Sequence, residues 1–301
     1  MIPEFHIFKR LELNDQSEIN SLVSQYPPYS DYNFLSLWNY DTENLTEISI
    51  LNGNLVVRFT DYITSKPFYS FIGDNKIGDT VSALLTLSGD KKLPRELSLI
   101  PEISNVKNND LRNLNIMEDL DNFDYILSVD EIAKLEGNKY RGKRNFVNRF
   151  IREYGKVPIV SLNLQNTQAQ QQIEDLFFTW EKQKQKPRSE TEHELTAIRR
   201  LFLAATKVQV VPMGIYIKNK LAAFILNEVS HQQYAVIHFE KADIDYVGIS
   251  SYLKQAAAKK MNDLGCKYIN YQQDLGIEGL RKSKLSWRPV FFLKKYKISQ
   301  K

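Results

Sequence analysis

The strongest constraint in this 301-residue chain is an order of elements that occurs twice. In the second half, Val157–Leu164 predicts a strand. Thr167–Lys186 follows with Ile173, Leu176, Phe177 and Trp180 at the i, i+3, i+4, i+7 spacing of an amphipathic helix, and Pro187 stops it. A second helix is expected at 192–206, burying Leu195, Ile198 and Phe202. Val208–Ile217, Leu221–Val229 and Tyr234–Glu240 then predict a three-stranded meander, its first turn at Lys218-Asn219-Lys220. A helix over Gly248–Leu264, a strand over Lys267–Tyr271, a short helix over Ile277–Leu285 and a final strand over Val290–Ile298 complete the half. The first half repeats the order. Phe5–Leu13 predicts a strand, 15–25 and 31–40 helices, and Glu47–Leu51 with Leu55–Asp61 a hairpin around Asn52-Gly53. Pro67–Gly73, a helix at 78–88, Glu96–Pro101 and Phe123–Val129 follow. The doubled order predicts an α+β fold of two tandem domains, each a mixed, mostly antiparallel sheet flanked by helices. Their expected limits are 1–130 and 157–301, with a basic bridging helix at 131–156 between them.

Charge is divided unevenly between the halves. Residues 1–130 hold 10 Lys and Arg against 20 Asp and Glu, whereas 131–301 hold 30 against 16. The second half is therefore the one suited to an anionic partner, such as phosphates, a nucleic acid or a lipid surface; two solvated faces of unequal charge are the plainer reading. The bridging segment 139–156 has seven basic residues and one acidic one, with Phe146, Val147, Phe150, Ile151 and Tyr154 on its apolar stripe. Arg141, Arg144, Asn145, Asn148 and Arg152 lie away from that stripe, and Arg144 and Asn148 are candidate substrate contacts. The last 21 residues, from Arg281, add eight basic residues and no acidic one; with 139–156 they could line a groove for a tRNA acceptor arm, on whose bases Trp287 and Tyr296 could stack. The single cysteine, Cys266, excludes a disulfide framework, and the four scattered histidines give no metal-ligand spacing. No apolar run reaches the length of a membrane span and the N-terminus lacks a signal-peptide profile, so a cytoplasmic protein is expected.

Three segments carry a family resemblance: Asn138–Phe150 (NKYRGKRNFVNRF), His238–Asp243 (HFEKAD) and Gln273–Leu285 (QDLGIEGLRKSKL). With Asp31–Trp38 (DYNFLSLW) near the start, they resemble the phosphatidylglycerol lysyltransferase C-terminal domain family, whose members are tandem GNAT-like acyltransferase folds. The resemblance implies transfer of an acyl or aminoacyl group from an acyl-CoA or an aminoacyl-tRNA to an amine or hydroxyl, including a lipid headgroup. A coenzyme A thioester would be the only cofactor-like donor, with no metal. The chain departs from the pattern at Gln272 and Gln273, where relatives often carry an acidic residue.

In GNAT folds a donor pyrophosphate rests on backbone amides where the fourth strand hands over to a helix, a site made by free N–H groups and the helix dipole. The corresponding residues here are Val247, Gly248, Ile249 and Ser250, preceded by Asp245, which would repel a phosphate unless it caps the helix. An ordinary helix start reads equally from the same residues. Strand alternation places Glu240 and His238 on one face, as candidate proton acceptors for an attacking amine; an ion pair of Glu240 and a core His238 are the structural alternatives. Gly276 and Gly279 bracket a short helix that would bring Asp274, Arg281 and Lys284 near one strand end, where they would position a substrate. Asp274 would take a substrate ammonium and Arg281 a carboxylate or phosphate. The same residues also read as an internal salt bridge that holds the loop. Two functions remain open on these residues: an acyl or aminoacyl transferase, and a catalytically silent RNA- or anion-binding module on the same scaffold.

Overall fold

Hydrophobic alternation and turn chemistry set most of the observed elements. The computed structural model describes residues 1–61, 66–104 and 111–301. In the first half the strands are β1 (Lys9–Arg10), β2 (Glu47–Leu51), β3 (Asn54–Thr60), β4 (Pro67–Ile72), β5 (Glu96–Pro101), β6 (Leu114–Glu118) and β7 (Asp124–Ser128), and the helices α1 (Gln16–Val23), α2 (Phe34–Tyr40) and α3 (Ile77–Asp90). Asn52 and Gly53 both take positive φ, the geometry that lets a two-residue turn match the twist of β2 and β3. The connecting helices are α4 (Val129–Lys134) and α5 (Arg141–Tyr154). The second half contains β8 (Ile159–Ser161), α6 (Thr167–Gln183), α7 (Arg188–Ala204), β9 (Val210–Ile217), β10 (Lys220–Val229), β11 (Tyr234–Ala242), α8 (Ile249–Asp263), β12 (Tyr268–Asn270), α9 (Glu278–Leu285), β13 (Phe291–Leu293) and β14 (Lys295–Gln300).

The two seven-stranded sheets have one topology. The first runs β1-β2-β3-β4-β5-β14-β6 and the second β8-β9-β10-β11-β12-β7-β13. Each contains one parallel pair, β4 with β5 and β11 with β12, and is otherwise antiparallel where the pairing is defined. The sixth place in each sheet is filled from the other half of the sequence. β14 pairs with β5 and β6, and β7 pairs with β12. The compact units are accordingly discontinuous and differ from the contiguous 1–130 and 157–301 read from the sequence: one comprises 1–124, 273–281 and 292–301, the other 125–272 and 282–291. Alternation in a terminal segment predicts a strand but not the sheet it joins. The strand expected over Val290–Ile298 is also broken into β13 and β14, and Phe5–Leu13 supplies only the two residues of β1.

The exchanged strand β14 is fixed in the first unit by a buried charge network. Lys295 Nζ lies 2.8 Å from Asp124 Oδ1 and 3.1 Å from Ser30 Oγ, and pairs with Asp31. The Ser30 N–H and Oγ–H both donate to the Asp124 carboxylate, at 2.7 and 2.6 Å. Burial pulls the Lys295 ammonium down, but Asp124 and Asp31 together outweigh it and hold the group above its ordinary value. Burial also pushes the Asp31 carboxyl up. Removing one member of such a network strands the others in a dry interior, which costs about 3–5 kcal/mol. Lys295→Met is therefore expected to lower stability by about that amount in urea unfolding, while Lys294→Met, in an exposed pair with Glu118, changes it little.

Candidate functional site

Strand β11 carries one residue too many for its neighbour. Its pairing with β10 runs Ile225↔Glu240, Leu226↔Phe239 and then Asn227↔Ile237, so His238 has no partner in the ladder. An extra residue reverses the alternation beyond it. Ala235, Ile237 and Ala242 belong to the core packed by α5 and α8, and Glu240 faces Lys254 of α8. His238 joins Glu228 on the opposite face, with Nε2 and Oε2 2.9 Å apart. The expectation that Glu240 and His238 share a face fails for this reason: period two holds only along an unbulged strand.

Glu240 is the carboxylate of a lysine-rich cluster within the second unit. Lys254 Nζ lies 2.7 Å from Glu240 Oε2 and is buried, 1% exposed. The same ammonium sits 3.7 Å from the ring centre of Tyr271 and 4.8 Å from that of Trp287. The Tyr271 hydroxyl donates to Glu240. Lys284 stands 4.1 Å from the Tyr271 ring centre and donates to the Tyr271 carbonyl. From α5, Lys143 lies 4.2 Å from the Trp287 ring centre and donates to Ser286 Oγ at 2.7 Å. Three ammonium groups thus surround two aromatic rings and one carboxylate. Burial, reinforced by the neighbouring Lys254 charge and opposed by Glu240, brings Lys143 down to about 8. Burial lowers Lys254 as well, against the pull of Glu240, and pushes the Tyr271 phenol well above its ordinary value, with Glu240 adding to it.

At the expected donor cradle, Val247–Ser250, the side of Gly248 that faces α5 is filled. Gly248 has φ +94°, and a Cβ placed there would lie 2.1 Å from the carbonyl oxygen of Phe146 and 3.2 Å from Phe150 Cβ. The missing side chain is used by the backbone of α5, which crosses the start of α8. The Ile249 N–H is bonded to the Tyr246 carbonyl, and Ser250 is exposed beside them. Asp245 is exposed; Asp243 is the residue that ties the loop, accepting from the Asp245 N–H at 3.0 Å and from Gln183 at 2.6 Å. In the first unit the loop after Gly73 is filled in another way: Asn54 accepts from the Asn75 N–H and donates to the Asn75 carbonyl.

Asp274 and Arg281 meet in the first unit as an internal pair. The Asp274 carboxylate, fully buried, accepts from Arg281 Nε at 2.9 Å, from Arg281 Nη2 at 2.8 Å and from the Gly276 N–H at 2.8 Å. Arg281 Nη2 also reaches Asp121 at 2.6 Å. The geometry is that of the loop-holding salt bridge, not of an ammonium receptor. Arg144 donates through Nη1 to the carbonyls of Leu135 and Gly137, closing the end of α4. Asn148 is exposed on α5. Of the basic C-terminal residues, Lys284 and Lys295 are buried and contribute no surface charge. Gln272, at φ +58°, donates its amide to the Ile237 carbonyl at 3.0 Å, closing the gap where β11 and β12 part after Val236 and Asn270. Cys266 is buried, which raises its thiol, and among the described residues no group of His, Cys, Asp and Glu could hold a metal.

Sequence reasoning missed Lys143, Lys254 and Tyr271. One signal was present: Lys254 occupies the buried stripe of α8, with Ala257, Ala258 and Met261 at i+3, i+4 and i+7. A lysine on an apolar stripe needs a partner or a purpose.

Residues 98–299 match the family described as phosphatidylglycerol lysyltransferase, C-terminal. The chain belongs to that family. Its fold is a pair of GNAT-like units. Over its whole length it superposes on a conserved protein of unknown function from Bacteroides thetaiotaomicron, with 25% identity, 100% of both chains covered and a TM-score of 0.87. The structure of L-PGS from Bacillus licheniformis gives 14% identity, 97% of this chain and 94% of that one, and a TM-score of 0.64, a likeness of fold. An uncharacterized protein of Mycoplasmoides gallisepticum is 26% identical over 174 residues, 58% of this chain; the match spans 55% of that relative's length, about half. No described helix is long and apolar enough to cross a membrane.

Gly248→Ala meets both a left-handed backbone and the Phe146 carbonyl, and is expected to cost more than the roughly 1–2 kcal/mol of the backbone term alone. Gly142→Ala, in a helix with nothing within 4 Å, is expected to be neutral or stabilising; thermal unfolding of both variants measures the contrast.

Proposed function

We propose that this lysyltransferase-family chain moves an aminoacyl group from the ester of an aminoacyl-tRNA to a hydroxyl or amine, and does not use coenzyme A. The observation that supports the choice of donor is the Phe146 carbonyl, 2.1 Å from where a side chain on Gly248 would begin: the backbone of α5 fills that side of Gly248, so a pyrophosphate has no approach to it from there. A tRNA ester needs no such approach. It needs phosphate contacts, for which the exposed face of α5 offers Arg141, Arg149 and Arg152. It also needs a place where charge developing on the ester carbonyl is stabilised, for which the lysine cluster at Glu240 offers preorganised cations. The family's description favours a lysyl group as cargo and the headgroup hydroxyl of phosphatidylglycerol as acceptor. A binding module without turnover is the second reading, favoured by the pairing of Asp274 with Arg281 and of Glu240 with Lys254.

Filter binding with lysyl-tRNA, and transfer of its labelled lysine to phosphatidylglycerol vesicles or to soluble amines and alcohols, test the proposal. Binding is expected to fall by about two orders of magnitude between about 50 and about 200 mM salt, as for roughly four phosphate contacts, and label should appear on an acceptor. Acetyl-CoA in isothermal titration should give no saturable heat. Saturable acetyl-CoA binding without tRNA binding overturns the assignment, and tight tRNA binding that ignores aminoacylation and releases no label leaves the second reading.

A further inference from the structure

Lys143 is the one member of the lysine cluster that is both accessible and uncommitted to a charge partner. Lys254 and Lys284 are 1% and 5% exposed, the first held by Glu240 and the second by the Tyr271 carbonyl. Lys143 is half-buried at the edge of α5, and among the described residues it has no ion pair; it touches Ser286 Oγ and the face of Trp287. The groups that face it are Lys254 from α8, which shares the Trp287 ring with it, Glu240 from β11, and Tyr271 and Lys284 around the adjoining ring. Glu240 is poorly placed to accept a proton, because its carboxylate already binds the Lys254 ammonium and the Tyr271 hydroxyl.

We propose that Lys143 is the proton acceptor of the transfer reaction, its amine held on the face of Trp287 beside Lys254, which pairs with Glu240. The inference rests on the aminoacyl-transfer reading above. In the step, the acceptor's hydroxyl or amine gives its proton to Lys143 Nζ while its lone pair forms the new bond to the ester carbonyl carbon. The bond from that carbon to the ribose oxygen then breaks, and the ribose oxygen takes the proton back from Lys143. No oxidant, reductant or further reactant is required. The arrangement is a known way to lower a lysine's pKa so that it works unprotonated near neutrality: partial desolvation next to a second cation. The burial that lowers Lys143 to about 8 leaves a useful neutral fraction at pH 7–8, whereas an ordinary lysine would have almost none.

Two measurements on the full chain test this. Trace labelling of amines with acetic anhydride across pH, read by mass spectrometry, gives the basicity of Lys143 without any turnover. It is expected to titrate near 8 in the wild type and to move up toward the ordinary lysine range in Lys254→Met, where the neighbouring charge is gone and Glu240 is freed. The pH dependence of kcat/KM for lysyl transfer from lysyl-tRNA to phosphatidylglycerol vesicles should show the same acid limb, rising tenfold per pH unit and levelling above about 8, and the limb should move with the labelling value in Lys254→Met. Lys143→Arg keeps the charge but cannot release a proton, and should lose about 10²–10⁴-fold in kcat/KM while still binding lysyl-tRNA. An active wild type whose Lys143 labels as an ordinary lysine, or a Lys143→Arg variant within about threefold of wild type, overturns the base assignment and leaves aminoacyl transfer standing. A wild type that binds lysyl-tRNA but transfers nothing overturns the aminoacyl-transfer reading, and the proton acceptor with it.

Discussion

The backbone of α5 can cross the start of α8 because residue 248 has no side chain. That contact decides two things in the second unit. It fills the side of Gly248 where a side chain would begin, and it holds α5 in the core, with Val147 and Phe150 buried, so that Lys143 comes to the indole of Trp287. Phe150 stacks toward Tyr252 of α8 with ring centres 4.9 Å apart, so aromatic packing reinforces the crossing. A glycine that sequence reasoning connects with phosphate approach is thus required by helix approach instead; both uses exploit the same absence of a Cβ.

The cluster that results is costly to bury. Taking an ammonium such as Lys254 out of water is compensated only if it finds a carboxylate and polarizable neighbours, and here it has Glu240 at 2.7 Å and the faces of two rings. One carboxylate cannot compensate three cations. Lys143 is pushed toward its neutral form first by its own burial and then by the Lys254 charge beside it, against the pull of Glu240. The depressed basicity therefore comes from where α5 buries Lys143, with the Lys254 charge adding to it. The surplus positive charge of the cluster would stabilise negative charge appearing on a substrate oxygen beside it.

Much of the fold was legible because it rests on local rules. The helix over 167–183 follows from Ile173, Leu176 and Phe177, and the β2–β3 hairpin from Asn52-Gly53. What was not legible depends on contacts far apart in sequence. Nothing in the alternation of Tyr296 and Ile298 says that β14 will lie between β5 and β6; that choice is made by Lys295 meeting Asp31 and Asp124, some 170 residues away and more. The site was legible in part. Glu240 was found from its strand and Lys284 from its motif, but the bulge at His238 has no mark in a single sequence and changes which residues share a face. Asp274 and Arg281 were found as a pair, and the geometry chose the structural of their two readings.

The two copies differ at the points that build the lysine cluster. In the first unit, β3 and β4 pair without a skipped residue from Leu55↔Ile72 to Thr60↔Pro67, so no side chain is turned out of register there. The helix that follows, α3, buries Ile77, Val81, Leu84 and Leu85, and its stripe contains no lysine. At its start Asn54 bonds to the Asn75 backbone and to the Thr80 hydroxyl. The second copy differs at each of these points: a bulge in β11, Lys254 in the stripe of α8, and α5 across Gly248. A bulge alone would only misalign a strand, and a buried lysine alone would only destabilise a helix. Together with α5 they place one carboxylate, the Lys254 ammonium paired with it, Lys284 on a backbone carbonyl and the Lys143 amine around Tyr271 and Trp287. The first copy, lacking all three, is left the task its buried Lys295 network performs, which is to hold the C-terminal strand in place.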